Sequence, residues 1–212
     1  MAEIKQMPYR EKLEGVIRLD ILVGDFAPRV VENELGKEKL QELRKIWENQ
    51  SESISAEASD QEKYEIAYRN FLKKWVMANN FMRKYEGEVG TSKFMNAAIA
   101  GWKNQYSHTS LLLRIMWGLS PKTAFQKLAK SLAYSLQVFS PFTVTELNEK
   151  RMTLSANPCK IAGLPTGNDF CVKACQNIIP SWLEAQFNMK MSPHRQGTDC
   201  TVTFERFNEQ AG

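Results

Sequence analysis

Between Tyr9 and Gln137 the apolar positions recur at helical steps. Leu13, Val16, Ile17 and Ile21 follow one another at threes and fours, and Leu35, Leu40, Leu43, Ile46 and Trp47 make a second stripe. Side chains at those steps share one face of an α-helix, so each stripe predicts an amphipathic helix turned toward a core. The polar segment SESISAEASDQ, residues 51–61, predicts a loop. Ser59 or Asp60 then caps a helix running through Tyr64, Ala67, Tyr68, Phe71, Leu72 and Trp75. Gly87 and Gly90 interrupt this pattern, Phe94 to Gly118 restores it, and Ser120-Pro121 marks the next start, because proline at the first helical position has no N–H to lose. The Leu128, Leu132, Leu136 repeat on the helix from Thr123 to Gln137 reads as a packing stripe, ahead of a zipper or a cofactor groove.

Past Ser140-Pro141 the period falls from 3.6 to 2. Phe142, Val144 and Leu147, then Met152 and Leu154, predict a strand pair turning near Asn148-Glu149. An amphipathic helix is expected between Phe170 and Phe187, bent or broken at Pro180, and MKMSPHRQGTDCTVTFERF predicts two further strands around the turn HRQGTD. The expected architecture is α+β: a helical N-terminal half packed on a small antiparallel sheet with a C-terminal helix. It is expected to form a single domain over residues 1–212, with 1–140 helical and 141–212 the α+β, cysteine-containing part. No internal repeat is visible.

Composition narrows the function classes. The chain has 212 residues, 43% hydrophobic and 25% charged, which suits a globular protein. Its net charge of +4 is spread thinly, which argues against nucleic acid as a partner. No run of apolar residues is long enough for a membrane span and the N-terminus lacks the apolar centre of a signal peptide, so a cytoplasmic protein is expected. The GxSxG, P-loop, HExxH and dinucleotide patterns are absent, which removes the commonest hydrolase, nucleotide and protease mechanisms.

All four cysteines, Cys159, Cys171, Cys175 and Cys200, fall in the last 54 residues. In a reducing compartment such clustering points to metal or reactive thiol before disulfide. Cys171 and Cys175 lie one turn apart on the expected helix, while Cys159 follows a strand and Cys200 opens the last one. Four thiolates suit an iron–sulfur cluster or a zinc ion, although the spacing matches neither a zinc ribbon nor a ferredoxin. Burial as small apolar residues, with no cofactor at all, accounts for the same four positions. His194 sits in a turn six residues before Cys200 and beside Arg195. With Asp199 it is the candidate for proton transfer, against the plainer reading of a surface histidine. His108, among apolar residues, reads as structural.

The C-terminal half resembles the L-2-amino-thiazoline-4-carboxylic acid hydrolase-like family, related in outline to 4-vinyl reductase type domains that bind small molecules. The resemblance runs from NPC at Cys159 through GLPTGNDFC at Cys171 and on to Cys175, then through the FN pair Phe187 and Asn188, Arg195, and GTDCTVTF around Cys200. It is specific over residues 145–205, with the segment VVENELGKEKLQELRK similar to the family's leading helices. Cys175 and the FNM replacing FNP depart from the pattern and draw attention from the hydrolase substrate to a thiolate-bound cofactor.

The resemblance implies a hydrolase or lyase type of enzyme for a small heterocyclic or sulfur-containing substrate. Its metal or iron–sulfur cluster would sit on the four cysteines. The alternatives are a small-molecule-binding or sensor module with structural cysteines, and a scaffold without chemistry. The ligand pocket is expected between the helical half and the sheet, lined by Trp182, Phe187, Asn188, Arg195, Trp102 and Tyr106. Nothing in the sequence opposes a homodimer.

Overall fold

The computed structural model describes residues 5–105, 115, 118–163, 171–172, 175–176 and 179–206, with the backbone alone at 102–105, 182, 185 and 186. The chain divides into two compact units, Pro8–Gln105 and Met1–Met7 with Tyr106–Gly212.

The first unit is helical: α1 (Tyr9–Leu35), α2 (Lys37–Gln50) and α3 (Asp60–Gln105). α1 buries Val16, Val23, Phe26, Ala27 and Val31 along one face and runs through Pro28 without ending, held by apolar contacts on both sides of it. Gly36 ends it with φ at 87°, a left-handed turn that favours glycine, and its N–H returns to the Glu32 carbonyl at 3.0 Å. The start of α3 is a reciprocal cap. Ser59 Oγ accepts from the Glu62 N–H at 3.3 Å, and Glu62 Oε2 accepts from the Ser59 N–H at 2.9 Å. Just upstream, Glu52 receives Arg69 at 2.8 Å and Lys73 at 2.7 Å, which ties the 51–59 loop to α3. These two cations, Arg69 first, hold its carboxyl down at about 2.

α3 is not one rod. Trp75 and Phe94 meet edge to face with ring centroids 5.1 Å apart, whereas 19 intervening rises along a straight helix would separate them by about 28 Å. The chain doubles back at Gly87, where φ is 62° and ψ is −142°. Phe26 of α1 closes the aromatic group, 5.9 Å from Trp75 and 5.1 Å from Phe94. Gly90 sits where a Cβ would fall on the Met82 carbonyl oxygen, so glycine is needed for the close approach.

The second unit carries α4 (Pro121–Leu136), β1 (Phe142–Leu147), β2 (Arg151–Ala156), α5 (Ile179–Phe187), β3 (Met189–Gln196) and β4 (Asp199–Arg206). The strands form one antiparallel sheet in the order β1-β2-β4-β3. Successive side chains alternate between its faces. One face sets Met152 and Leu154, Met189 and Met191, and Val202 and Phe204 against Phe125, Leu128, Ala129 and Ala133 of α4 and Leu183 and Phe187 of α5. The other presents Thr153, Ser155, Thr201 and Thr203, with hydroxyl oxygens of facing pairs 3.4 Å apart. Both edges are guarded against further pairing: β3 holds Pro193 and β1 has an irregularity between Val144 and Glu146. Residues just before α1 join this unit, since the Met7 N–H donates to Gln137 Oε1 at 3.0 Å and Gln137 Nε2 donates to the Lys5 carbonyl at 3.1 Å.

The α+β expectation therefore holds, with a helical N-terminal half, a four-stranded antiparallel sheet and a C-terminal helix. Pro180 lies in the first turn of α5, where its missing N–H has no partner to lose, and the backbone at 171–172 and 175–176 is π-helical. The second unit begins at Tyr106, and within it α4 buries its leucine stripe on the sheet.

Gly90→Ala should destabilise the protein by about 1–3 kcal/mol, since the Met82 carbonyl must move. Gly118→Ala, with nothing within 4 Å of its added Cβ, should leave the melting temperature unchanged or higher. Glu52 stabilises the fold above its ordinary value of 4.5, and that contribution fades as pH falls toward about 2. Glu52→Gln should accordingly lower the melting temperature at neutral pH, with the difference closing near pH 2.

Candidate functional site

Cys200 stands on the core face at the start of β4, flanked by its register partners Ala156 on β2 and Arg195 on β3. Beyond Ala156 the chain turns through Asn157 and Pro158 to Cys159, whose N–H donates to the Thr198 carbonyl at 2.8 Å. That bond fastens the Cys159 turn to the β3–β4 turn. Ser140 Oγ braces the other side, donating to the Pro158 carbonyl at 3.3 Å and accepting from the Lys160 N–H at 3.2 Å. Ala156, Cys159, Ile161, Ala162 and Cys171 then form a small buried cluster of their own, with Phe139, Phe142 and Cys200 against it. Cys175 follows one turn after Cys171. All four thiols are free.

Arg195 enters this niche as a clamped side chain. Its Nε donates to the Gly197 carbonyl at 2.6 Å and its Nη2 to the Ala162 carbonyl at 3.2 Å, while Nη1 is buried without a hydrogen-bond partner among the described residues. The guanidinium lies beside Cys171, where it offsets part of the upward push that burial gives that thiol. Burial raises Cys200 to about 11, with Cys159 and Cys171 adding to the rise and Arg195 opposing it. Cys175 is pushed up furthest, by burial of its sulfur first and then by Cys171, Cys200 and Cys159. Burial in each case disfavours the thiolate, so Cys171, Cys175 and Cys200 are favoured as neutral thiols.

Soft sulfur donors suit zinc or an iron–sulfur cluster, yet among the described residues no three His, Cys, Asp or Glu side chains are arranged to hold a metal ion. The thiols as placed do not make a ready metal site, and the expected four-cysteine ligand set is not assembled as one.

The proposed proton-transfer pair lies elsewhere. His194 pairs with Thr201 and Asp199 with Gln196, so alternation puts both on the sheet face opposite Cys200 and Arg195, and both are exposed. With its amide turned to suit its neighbour, Asn157 donates to Asp199 Oδ1 at 2.6 Å. The FN pair has structural work: Phe187 is buried in the sheet core, and the exposed Asn188, at φ 48°, ends α5 by donating its N–H to the Glu184 carbonyl at 3.0 Å. The side chains of Trp102 and Trp182, and Tyr106 and His108 altogether, lie outside the described residues.

Sequence reasoning gave no sign of a second feature, a cavity of about 500 Å³ at the start of α4 lined by Leu119, Lys122, Gln126, Glu149 and Arg206 among others. Lys122 and Glu149 pair across it at 2.8 Å. It opens at the far end of β4, six residues and about 20 Å from Cys200.

No protein-family model matches the chain, and no curated protein matches it. Among solved structures it is similar to the crystal structure of an Fe(II) unliganded H-NOX protein from K. algicida, with 12% identity, a TM-score of 0.37 and coverage of 91% of this chain and 98% of that one. A mutant of the same protein matches at 11% identity and a TM-score of 0.36, covering 89% and 97%. A likeness this distant assigns no function to the chain. No described helix is long and apolar enough to cross a membrane.

Because folding raises the Cys200 thiol from 9.0 to about 11, its contribution to stability is complete below the lower value and lost as pH climbs through the higher one. Cys171 and Cys175 act in the same sense. The melting temperature should therefore drop between about pH 9 and pH 11 more steeply in the native chain than in Cys200→Ala, and equal slopes would show that the thiol is not buried as described.

Proposed function

We propose that this chain is a small-molecule-binding module of the sensor type, with its ligand taken up at the thiol niche of the second unit. The observation that carries the reading is the packing of Cys159, Cys171 and Cys200 beside one clamped arginine, Arg195, while His194 and Asp199 stand on the opposite face of the sheet. Recognition groups are together there and the acid–base pair is not. The resemblance to the L-2-amino-thiazoline-4-carboxylic acid hydrolase-like family supports a small heterocyclic or sulfur-containing molecule as the ligand class. Polarisable sulfur makes favourable contacts with such rings.

A second reading, a hydrolase-like enzyme carrying an iron–sulfur cluster or zinc on Cys159, Cys171, Cys175 and Cys200, draws on the same four soft donors. It requires those side chains to close up around the metal, since the described arrangement holds no three-ligand group. The thinly spread charge of +4 gives neither reading a nucleic-acid partner.

Purification without oxygen, followed by metal analysis and thermal shift against small heterocycles and thiol-bearing molecules, separates the two. Sensor-type binding should show as a metal-poor protein whose stability rises by about 2.7 kcal/mol at a hundredfold excess over the dissociation constant, a gain absent from Cys171→Ser. Stoichiometric iron or zinc that disappears in Cys171→Ser together with substrate turnover would establish the enzyme reading instead.

A further inference from the structure

The polar groups of the thiol niche are unbalanced in one direction. Arg195 offers five N–H donors and no acceptor, and the neutral thiols beside it offer S–H donors with only weak acceptor capacity. The carbonyls of Gly197 and Ala162 take up Nε and Nη2, which leaves Nη1 buried and without a hydrogen-bond partner among the described residues. Among the described residues no carboxylate forms an ion pair with this guanidinium, whose charge opposes the upward push of burial on Cys171 and Cys200. A positive charge held by two backbone carbonyls, with a spare buried donor, is complementary to an acceptor carrying one negative charge. Arg195 and Cys200 are each part-exposed.

We infer that Arg195 and the thiols around it form a binding site for a small carboxylate-bearing monoanion, whose oxygen accepts from Nη1 while its apolar end lies against Cys171 and Cys200. This rests on the small-molecule reading of the same niche and adds the charge of the ligand. A planar carboxylate suits the guanidinium fork, and Lys would supply the charge without that geometry.

The probe is iodoacetate, with neutral iodoacetamide as its isostere, on the full reduced chain. In either reaction a cysteine thiolate displaces iodide from carbon, forming the S–C bond, and the thiol proton passes to buffer. Iodoacetate labelling should saturate with concentration, fall on Cys171 or Cys200 by peptide mass spectrometry, and be slowed by acetate, while iodoacetamide labelling stays linear in concentration. In Arg195→Gln the iodoacetate rate should fall about tenfold and lose saturation with the iodoacetamide rate unchanged, and Arg195→Lys should lie between. The acetate competition is made on the unaltered chain, so it decides even if Arg195→Gln fails to fold. Iodoacetate labelling that is linear and indifferent to acetate, or confined to Cys159 or Cys175, overturns the site. Should neutral ligands still raise the melting temperature in that case, the small-molecule reading stands and only the anion is wrong.

Discussion

The alternation of β4 governs the second unit. This strand lies between β2 and β3, so both of its edges are hydrogen-bonded and its register fixes theirs. Val202 and Phe204 must face α4 and α5 to bury their apolar surface, and the strict period of two then carries Cys200 to the same face and sends Asp199 and Thr201 to the other. A slip of one residue would expose Phe204 and bury Thr203 and Glu205 in its place. The position of the thiol niche is therefore a consequence of core packing. The same register holds Arg195 next to Cys200, with nothing about the thiols themselves needed to place it.

Much of this was legible in the sequence. Capping residues told where α3 begins, because Ser59 and Glu62 stand at the spacing that satisfies two N–H groups at once. Phe142, Val144 and Leu147 already held the β1 irregularity: a step of two followed by a step of three keeps all three on the core face only if one extra residue is inserted between them. The hairpin in α3 was half visible. Gly87 and Gly90 broke the helical pattern, but only the contact of Trp75 with Phe94 shows that the chain reverses there.

At the site, the packing of Cys159, Cys171 and Cys200 side by side accords with the crowding of cysteines into the C-terminal part, whereas the placement of His194 and Asp199 on the other face of the sheet was not legible. Nearness in sequence to Cys200 suggested a shared site, yet on a strand an odd offset means opposite faces. His194 is six residues from Cys200 across a turn, and its parity is set by the pairing of Arg195 with Cys200, which no single-strand pattern reveals. The clamp on Arg195 was equally hidden, since it uses backbone carbonyls of Gly197 and Ala162, and backbone acceptors carry no residue signature.

The electrostatics of the niche follow from its size. A cluster of this kind is too small to solvate an isolated thiolate, so burial and the neighbouring sulfurs raise Cys175 and Cys200 well beyond Arg195's capacity to lower them. One guanidinium cannot stabilise several thiolates at once. Among the described residues no acidic side chain pairs with Arg195, and its two carbonyl partners supply dipoles but no counter-charge. Burying the spare Nη1 is unfavourable unless an acceptor meets it, because a buried donor without a partner forfeits its hydration. The cheaper arrangement for folding alone would swing the guanidinium out to water on its flexible stem, as exposed arginines do. That it is instead turned inward and fixed by two backbone bonds is the physical ground on which we propose ligand recognition at the niche in addition to core packing.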